Sequence, residues 1–283
     1  MFRRSAFGEP GRTRTRDGRL LHHVTLGTGS PTVVFEAGLG ANRGTWGLVQ
    51  REVAARTRTL AYDRAGLGRS DPATAGLRRM ATDLEDVLCA DDDTRFVLVG
   101  HSLGGVLARW VAQRQPALVA GLLLVDQVEE EIEEYHDRAR ARAVAAGYTL
   151  AAVSAVALRP LLTKVLHRNF PPDMAAELIS EEVSYGALRT GAAEVRAMAS
   201  GLRELMAGAE LPDIPVTVLS AGRCGRAERP PRSVLVAAHR RLAERIPRGR
   251  HVVAERADHL VPLQQPELIV NEALKLVEEV SRL

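Results

Sequence analysis

The chain has very little lysine, few cysteines and no long hydrophobic segment. Its 38 basic residues are all arginine except Lys164 and Lys275. Cys89 and Cys224 form no Cys-Xaa-Xaa-Cys pair or Cys/His cluster, so we expect reduced, buried thiols and no metal site. The longest uncharged run, residues 143–158, is shorter than the roughly 20 residues that a membrane-spanning helix needs. We therefore predict no membrane span.

The net charge and the first residues of the chain argue against a nucleic-acid-binding protein and against a secreted one. The formal net charge is +3, and 46% of the residues are hydrophobic, a composition that can fill a globular core. Arginines are frequent in the first twenty residues, but no motif that reads nucleic acid accompanies them. The same segment has no apolar stretch typical of a signal peptide. We expect a cytoplasmic monomer or homodimer that acts on a small molecule, without a nucleic-acid partner.

The most informative motif is Gly-His-Ser-Leu-Gly at residues 100–104. An apolar run precedes it and an apolar pattern of helical spacing follows, so the serine is predicted at a sharp strand-to-helix turn, a nucleophile elbow. Gly100 and Gly104 would let neighbouring segments pass closely in such a turn. Ser102 is therefore the candidate nucleophile.

Short apolar runs separated by segments of helical length predict an α/β fold. Residues 13–16 and 20–26, joined by Asp17-Gly18, are predicted to form an antiparallel hairpin. The further predicted strands are residues 32–35, 59–62, 96–99, 122–125, 216–219 and 251–254. The alternation predicts a mostly parallel, eight-stranded sheet flanked by helices.

One interval lacks any predicted strand. Between Asp126 and Pro212 the pattern is helical, chiefly over residues 129–146 and 187–207. We interpret residues 127–212 as a helical cap inserted after the sixth strand. Residues 1–126 and 213–283 would then form the core domain.

An activated serine needs a base and an acid that orients the base. His259 is the candidate base, because it lies in the loop between the last predicted strand and the terminal helix. Asp126 is the candidate acid, because it ends the sixth strand at the carboxyl edge of the sheet. It could instead cap the first cap helix, and Glu129 and Glu228 remain reserve candidates.

Two backbone amides are candidates for binding a negatively charged oxygen. The Leu103 amide opens the helix after the elbow, where the helix dipole favours negative charge. The Leu39 amide lies in a glycine-containing loop after the third strand. Gly38 and His101 are predicted to line the substrate pocket beside these amides. Trp46 is predicted to wall it, although an aromatic residue there is as often simple core.

Four stretches together resemble the cap-bearing members of the α/β-hydrolase family, in particular small esterases. They are residues 36–40, 62–70, the elbow at 100–104, and Asp258-His259. The resemblance extends over nearly the whole chain and implies a serine hydrolase that works through an acyl-enzyme without a cofactor. Many members have histidine where this chain has Ala37. Relatives that act on epoxides or haloalkanes carry aspartate in place of Ser102, which argues against those reactions here.

The function expected from these features is cleavage of an ester, thioester or lactone of a small, largely apolar substrate. Acyl transfer, lyase or perhydrolase chemistry on the same residues stays open, as does a receptor-like protein with little turnover. A dinucleotide-binding protein is a further alternative, because Gly38, Gly40 and Gly44 follow a predicted strand, with Asp63 about twenty residues further on. That alternative leaves the elbow unexplained, and no tyrosine is followed four residues later by lysine.

Overall fold

The computed structural model describes residues 5–74, 76–91, 93, 95–154, 160, 163–164, 166–181, 184–207, 210–224 and 230–282. Eight strands form one sheet in the order β1-β2-β4-β3-β5-β6-β7-β8. The strands are β1 (Glu9–Arg14), β2 (Leu20–Leu26), β3 (Thr32–Glu36), β4 (Thr59–Tyr62), β5 (Phe96–His101), β6 (Val119–Val125), β7 (Val216–Ala221) and β8 (Gly249–Ala254). β2 is antiparallel to both β1 and β4, and the other pairs are parallel.

Helices cover both faces of this sheet. They are α1 (Gly47–Val53), α2 (Leu77–Cys89), α3 (Leu103–Arg114), α4 (Arg138–Val153), α5 (Pro172–Glu181), α6 (Tyr185–Met206), α7 (Arg232–Arg245), α8 (Val261–Gln264) and α9 (Pro266–Ser281). Successive residues of a strand point to opposite faces. In β5, Leu98 therefore packs against α2 and α3, whereas Val97 and Val99 pack in the cluster that contains α1 and α9.

Burial on both faces explains why the central strands are almost wholly apolar. Every residue of β3, β5, β6 and β7 is buried, as is typical of parallel strands covered by helices on each side. The carboxyl ends of these strands meet at one edge of the sheet. Asp126 and Ser102 follow two neighbouring strands at that edge.

α4, α5 and α6 lie between β6 and β7 in the chain. The predicted α/β sheet with a helical insertion after the sixth strand is therefore confirmed. The first cap helix begins later than predicted, at Arg138 rather than at residue 129. Asp137 ends the preceding irregular segment, because its carboxylate accepts hydrogen bonds from the amides of Ala139 and Arg140 and so caps α4.

Two further expectations are corrected. The first strand covers Glu9–Arg14 rather than residues 13–16, because the turn is wider than a two-residue loop and starts at Thr15. The Thr15 amide donates to the carbonyl oxygen of Arg19, and the Thr15 carbonyl accepts from the amide of Gly18. Cys89 and Cys224 are exposed rather than buried, and neither forms a disulfide. None of the helices in the described ranges has the length and apolar content to cross a membrane; part of the uncharged run, residues 155–158, lies outside those ranges.

Candidate active site

Ser102 lies at a sharp turn between β5 and α3. Its backbone has φ 54° and ψ −118°, a conformation that non-glycine residues rarely adopt and that marks functional sites. The turn requires the two flanking glycines. A Cβ on Gly100 would lie 2.5 Å from the Gly104 carbonyl oxygen, and one on Gly104 would lie 2.4 Å from that of Glu36. The geometry is that of the predicted nucleophile elbow.

His259 and Asp126 are brought together across 133 positions of the chain. The Nδ1 atom of His259 lies 2.6 Å from Oδ2 of Asp126. Because Asp126 is fully buried and ionised, it accepts this hydrogen bond from Nδ1, and in the neutral ring Nε2 is then the acceptor nitrogen. The Ser102 and His259 side chains line the same cavity. Both are described, and they are not hydrogen-bonded to each other. Hydrogen bonds between a catalytic base and its nucleophile are often long in structures without substrate.

The second oxygen of Asp126 is held by two donors. Oδ1 accepts from the amide of Ala221 at 2.9 Å and from Nη1 of Arg232 at 2.5 Å. Burial alone would raise the pKa of the Asp126 carboxyl, but the hydrogen bond from His259 and the charge of Arg232 lower it below its usual range. The carboxylate thus stays ionised and keeps a fixed orientation toward His259.

Glu129, one of the two reserve acids, does not share this position. Glu129 accepts a hydrogen bond from the Gln127 side chain and lies 3.7 Å from Arg109. Burial raises its pKa to about 7. Glu228 lies outside the described residues. Asp126 does not cap a cap helix, since Asp137 has that role.

His101 lines the cavity as a neutral ring. Its Nε2 lies 2.8 Å from the carbonyl oxygen of His259 and therefore donates to it, which leaves Nδ1 as an acceptor. Burial and the neighbouring His259 lower the pKa of His101 to about 3. The two rings lie with centroids 4.7 Å apart. His101 thus packs beside His259 without competing for a proton near neutral pH.

The loop after β3 approaches Ser102 closely. A Cβ on Gly38 would lie 2.8 Å from Nδ1 of His101 and 3.4 Å from Cβ of Ser102, so a larger residue would force the loop or His101 to shift. Among the described residues, no acceptor takes a hydrogen bond from the amides of Leu39 or Leu103. Two unpaired donors beside a serine are suited to bind an oxygen that gains negative charge.

The site opens into a cavity of about 420 Å³ with mostly apolar walls. A second cavity of about 280 Å³ adjoins it and shares Leu39, Tyr148 and His259 with it. The first cavity is lined by Gly38, Leu39, Ala41, Thr45, His101, Ser102, Tyr148, Leu166, Phe170, Leu178, His259, Leu260, Pro262 and Leu263. The cap thus supplies part of the wall through Tyr148 and Leu178.

Trp46 does not line this cavity, contrary to the prediction. It is fully buried; its ring centroid lies 5.1 Å from that of Phe35 in a tilted pair and 6.4 Å from that of His101 in an edge-on pair. It therefore belongs to the core next to His101.

The sequence did not predict Tyr148 or Arg232 at the site, because both reach it through the tertiary fold and neither belongs to a local motif.

The chain belongs to the α/β-hydrolase family. The model of that family matches residues 33–273, which include the elbow, Asp126 and His259. The two parts of the site, the serine turn and the histidine loop, therefore both lie within the matched region.

Individual relatives are more distant. A Klebsiella pneumoniae protein, "Putative carbamate hydrolase RutD", is 37% identical over 101 residues, which are 35% of this chain and 38% of that protein. The chain thus spans little more than a third of the length of the curated relatives it matches. An esterase from Thermogutta terrifontis has TM-score 0.72, 23% identity and coverage of 96% and 99% of the two chains. A variant of potato epoxide hydrolase has TM-score 0.76, 16% identity and coverage of 95% and 99%. These two likenesses show the fold alone.

Proposed function

We propose that the protein is a serine hydrolase that cleaves an ester, thioester or lactone of a small, largely apolar substrate through an acyl-enzyme. This proposal rests on the 2.6 Å hydrogen bond between His259 and Asp126, together with the cavity that His259 and Ser102 both line. A nucleophile, a base and an oriented acid are the set that acyl transfer requires.

In the first half of the reaction, Ser102 attacks the carbonyl carbon of the substrate. Nε2 of His259 takes the hydroxyl proton, and Asp126 stabilises the imidazolium that forms. The carbonyl oxygen becomes negative and accepts hydrogen bonds from the Leu39 and Leu103 amides. The bond to the leaving group then breaks, and the imidazolium returns its proton to the departing oxygen or sulfur.

In the second half, water replaces the leaving group. His259 removes a proton from the water, whose oxygen attacks the acyl carbon bound to Ser102. The same two amides stabilise the second tetrahedral intermediate, and the acid product leaves as Ser102 regains its proton. No cofactor takes part in these steps.

The apolar walls of the cavity support the proposal of an apolar substrate. Its apolar lining includes Leu166, Phe170, Leu178, Pro262 and Leu263. A pocket with apolar walls and few polar groups binds the hydrocarbon part of a ligand and orients its polar group. We propose that the cap, residues 127–212, determines which acyl chains fit.

The test is hydrolysis of p-nitrophenyl esters of increasing acyl length by the wild-type protein. Ser102→Ala and His259→Ala should each remove nearly all turnover, while the circular dichroism spectrum stays that of the wild type. Turnover should peak at a short or medium chain and fall once the chain exceeds the cavity. Equal turnover by wild type and Ser102→Ala would refute the proposal.

A p-nitrophenyl carbamate belongs in the same panel, because the relative from Klebsiella is named for carbamates. Its carbonyl would meet the same serine and the same two amides. Faster turnover of the carbamate than of every ester would change the proposed substrate class but keep the mechanism.

A further inference from the structure

Arg64 lies beneath the loop that carries the Leu39 amide. It follows β4 and is 1% exposed. Its Nη1 donates to the carbonyl oxygen of Ala37 at 2.6 Å, and its Nη2 donates to that of Gly38 at 2.6 Å. One guanidinium therefore binds two successive peptide carbonyls of the loop.

The second of these contacts acts on the peptide that contains the Leu39 amide. The carbonyl of Gly38 and the N–H of Leu39 belong to one planar trans unit, in which the two groups point in opposite directions. A donor on the Gly38 oxygen therefore turns the Leu39 N–H away from Arg64. Gly38 and Leu39 line the cavity with Ser102, so this amide is available on the side of the nucleophile.

The cap supplies the residue that holds Arg64. Glu194 of α6 accepts from Nε and Nη2 of Arg64, each at 2.9 Å. The same carboxylate accepts from the amide of Gly40 at 2.7 Å. The peptides on both sides of Leu39 are thus fixed through one ion pair between the core and the cap.

Glu36 completes the surroundings of Arg64. It lies at the end of β3, accepts from Nη1 of Arg64 at 2.7 Å and also accepts from the hydroxyl of Tyr62. Two carboxylates thus face one buried guanidinium. Burying these charges costs free energy unless their pairing and hydrogen bonding are complete. Here the pairing is complete: the guanidinium makes five hydrogen bonds, two to Glu194 and one each to Glu36, Ala37 and Gly38.

We propose that Arg64, held by Glu194, is a positioning residue for the oxyanion hole, an inference that rests on the proposed function. It fixes the direction of the Leu39 N–H before substrate arrives. It also polarises the Gly38–Leu39 peptide, because a hydrogen bond at the carbonyl strengthens the donor at the other end. Both effects act when negative charge develops on the substrate oxygen, and not when the substrate first binds.

The chain offers a matched control for this role. Arg43 is also fully buried and also joins the core to the cap, through Asp63, Glu177 and Glu181. Its side-chain hydrogen bonds to described residues all go to carboxylates, and none goes to a carbonyl of the loop. Arg64→Lys and Arg43→Lys therefore disturb similar core–cap ion pairs, but only the first disturbs the Leu39 peptide.

The experiment measures kcat and KM with p-nitrophenyl butyrate, and the affinities for a trifluoromethyl ketone and the matching methyl ketone. The fluorinated ketone forms a tetrahedral adduct with serine, whereas the methyl ketone binds without one. For Arg64→Lys we expect kcat to fall about 10- to 100-fold, somewhat less than the loss of a whole oxyanion donor. Affinity for the trifluoromethyl ketone should fall by the same factor, with KM and methyl ketone affinity within about two-fold. Arg43→Lys should leave all four quantities within about two-fold of wild type.

A second pair of variants keeps the test valid if Arg64→Lys does not fold. Glu194→Gln retains an acceptor for Gly40 but loses one of the two oxygens that hold Arg64. It should lower kcat and trifluoromethyl ketone affinity together by about 3- to 10-fold. Glu181→Gln, its control at the Arg43 cluster, should lower neither.

Two results would overturn the inference alone: equal effects in the Arg64 and Arg43 variants of an active enzyme, or equal weakening of both ketones. Either would reduce Arg64 to a structural ion pair. A wild-type protein that neither cleaves the ester nor binds the trifluoromethyl ketone would instead refute the proposed function, and this inference with it.

Discussion

Replacing Asp126 by asparagine should nearly abolish turnover, for a reason specific to this site. The partners of Oδ1, the Ala221 amide and the Arg232 guanidinium, are both donors. An asparagine must therefore keep its oxygen toward them and turn its NH₂ group toward His259. The ring then accepts at Nδ1 and carries its proton on Nε2, so the base is blocked.

The loss can be estimated from the free energy of the transition state. An imidazole in the wrong tautomer lowers kcat by about 10⁴ in a serine triad, which corresponds to about 5.4 kcal/mol. The asparagine also cannot stabilise an imidazolium. KM should change little, because Asp126 is fully buried and does not line the cavity.

The assay is steady-state cleavage of the best p-nitrophenyl ester, with Glu129→Gln as the matched control. Glu129 is also a buried carboxylate and lies three positions further along the chain, but it does not contact His259. The control should retain activity within about three-fold. A kcat for Asp126→Asn within ten-fold of wild type, or a collapse of activity in Glu129→Gln, would refute this assignment of the acid.

Three further predictions concern the groups around this site. Arg232→Met should raise the pKa of Asp126; because a depressed pKa gives stability that is lost as pH falls through it, the acid-unfolding midpoint followed by circular dichroism should move to higher pH. Glu129 has its pKa raised to about 7 from 4.5, so its stabilising contribution is present below 4.5 and lost as pH rises through 7. Above pH 7, Glu129→Gln should therefore raise the free energy of unfolding by on the order of 3 kcal/mol at most, and so raise Tm; an unchanged Tm there would contradict this. Gly38→Ala should lower kcat about 100-fold or more with the fold intact, because its methyl group would displace the loop from Ser102; wild-type kinetics would show that the loop adapts.

The parts of the fold and site that the sequence predicts are those with local signals. The apolar runs predict the strands, and the elbow glycines predict the turn at Ser102 because close backbone contacts demand them. His259 is predicted from its place between β8 and the terminal helix. Asp126 is predicted from its position at the end of β6, since parallel strands bring their carboxyl ends to one edge.

The parts that it does not predict depend on long-range pairing. Arg232 is one of 36 arginines and has no local feature that links it to Asp126, which lies 106 positions away. Arg64 and Glu194 are 130 positions apart. Trp46 has the same spacing from the loop whether it faces the pocket or the core, and only the packing on Phe35 and His101 distinguishes the two.

The activation of Ser102 is tested by the intact mass of the protein after treatment with a fluorophosphonate. We expect one added phosphonyl group on the wild type, located on Ser102 by peptide mapping, and none on Ser102→Ala. Labelling should be much slower in His259→Ala. A wild-type protein that stays unlabelled while it is folded, or a label on another residue, would contradict the assignment of Ser102 as an activated nucleophile.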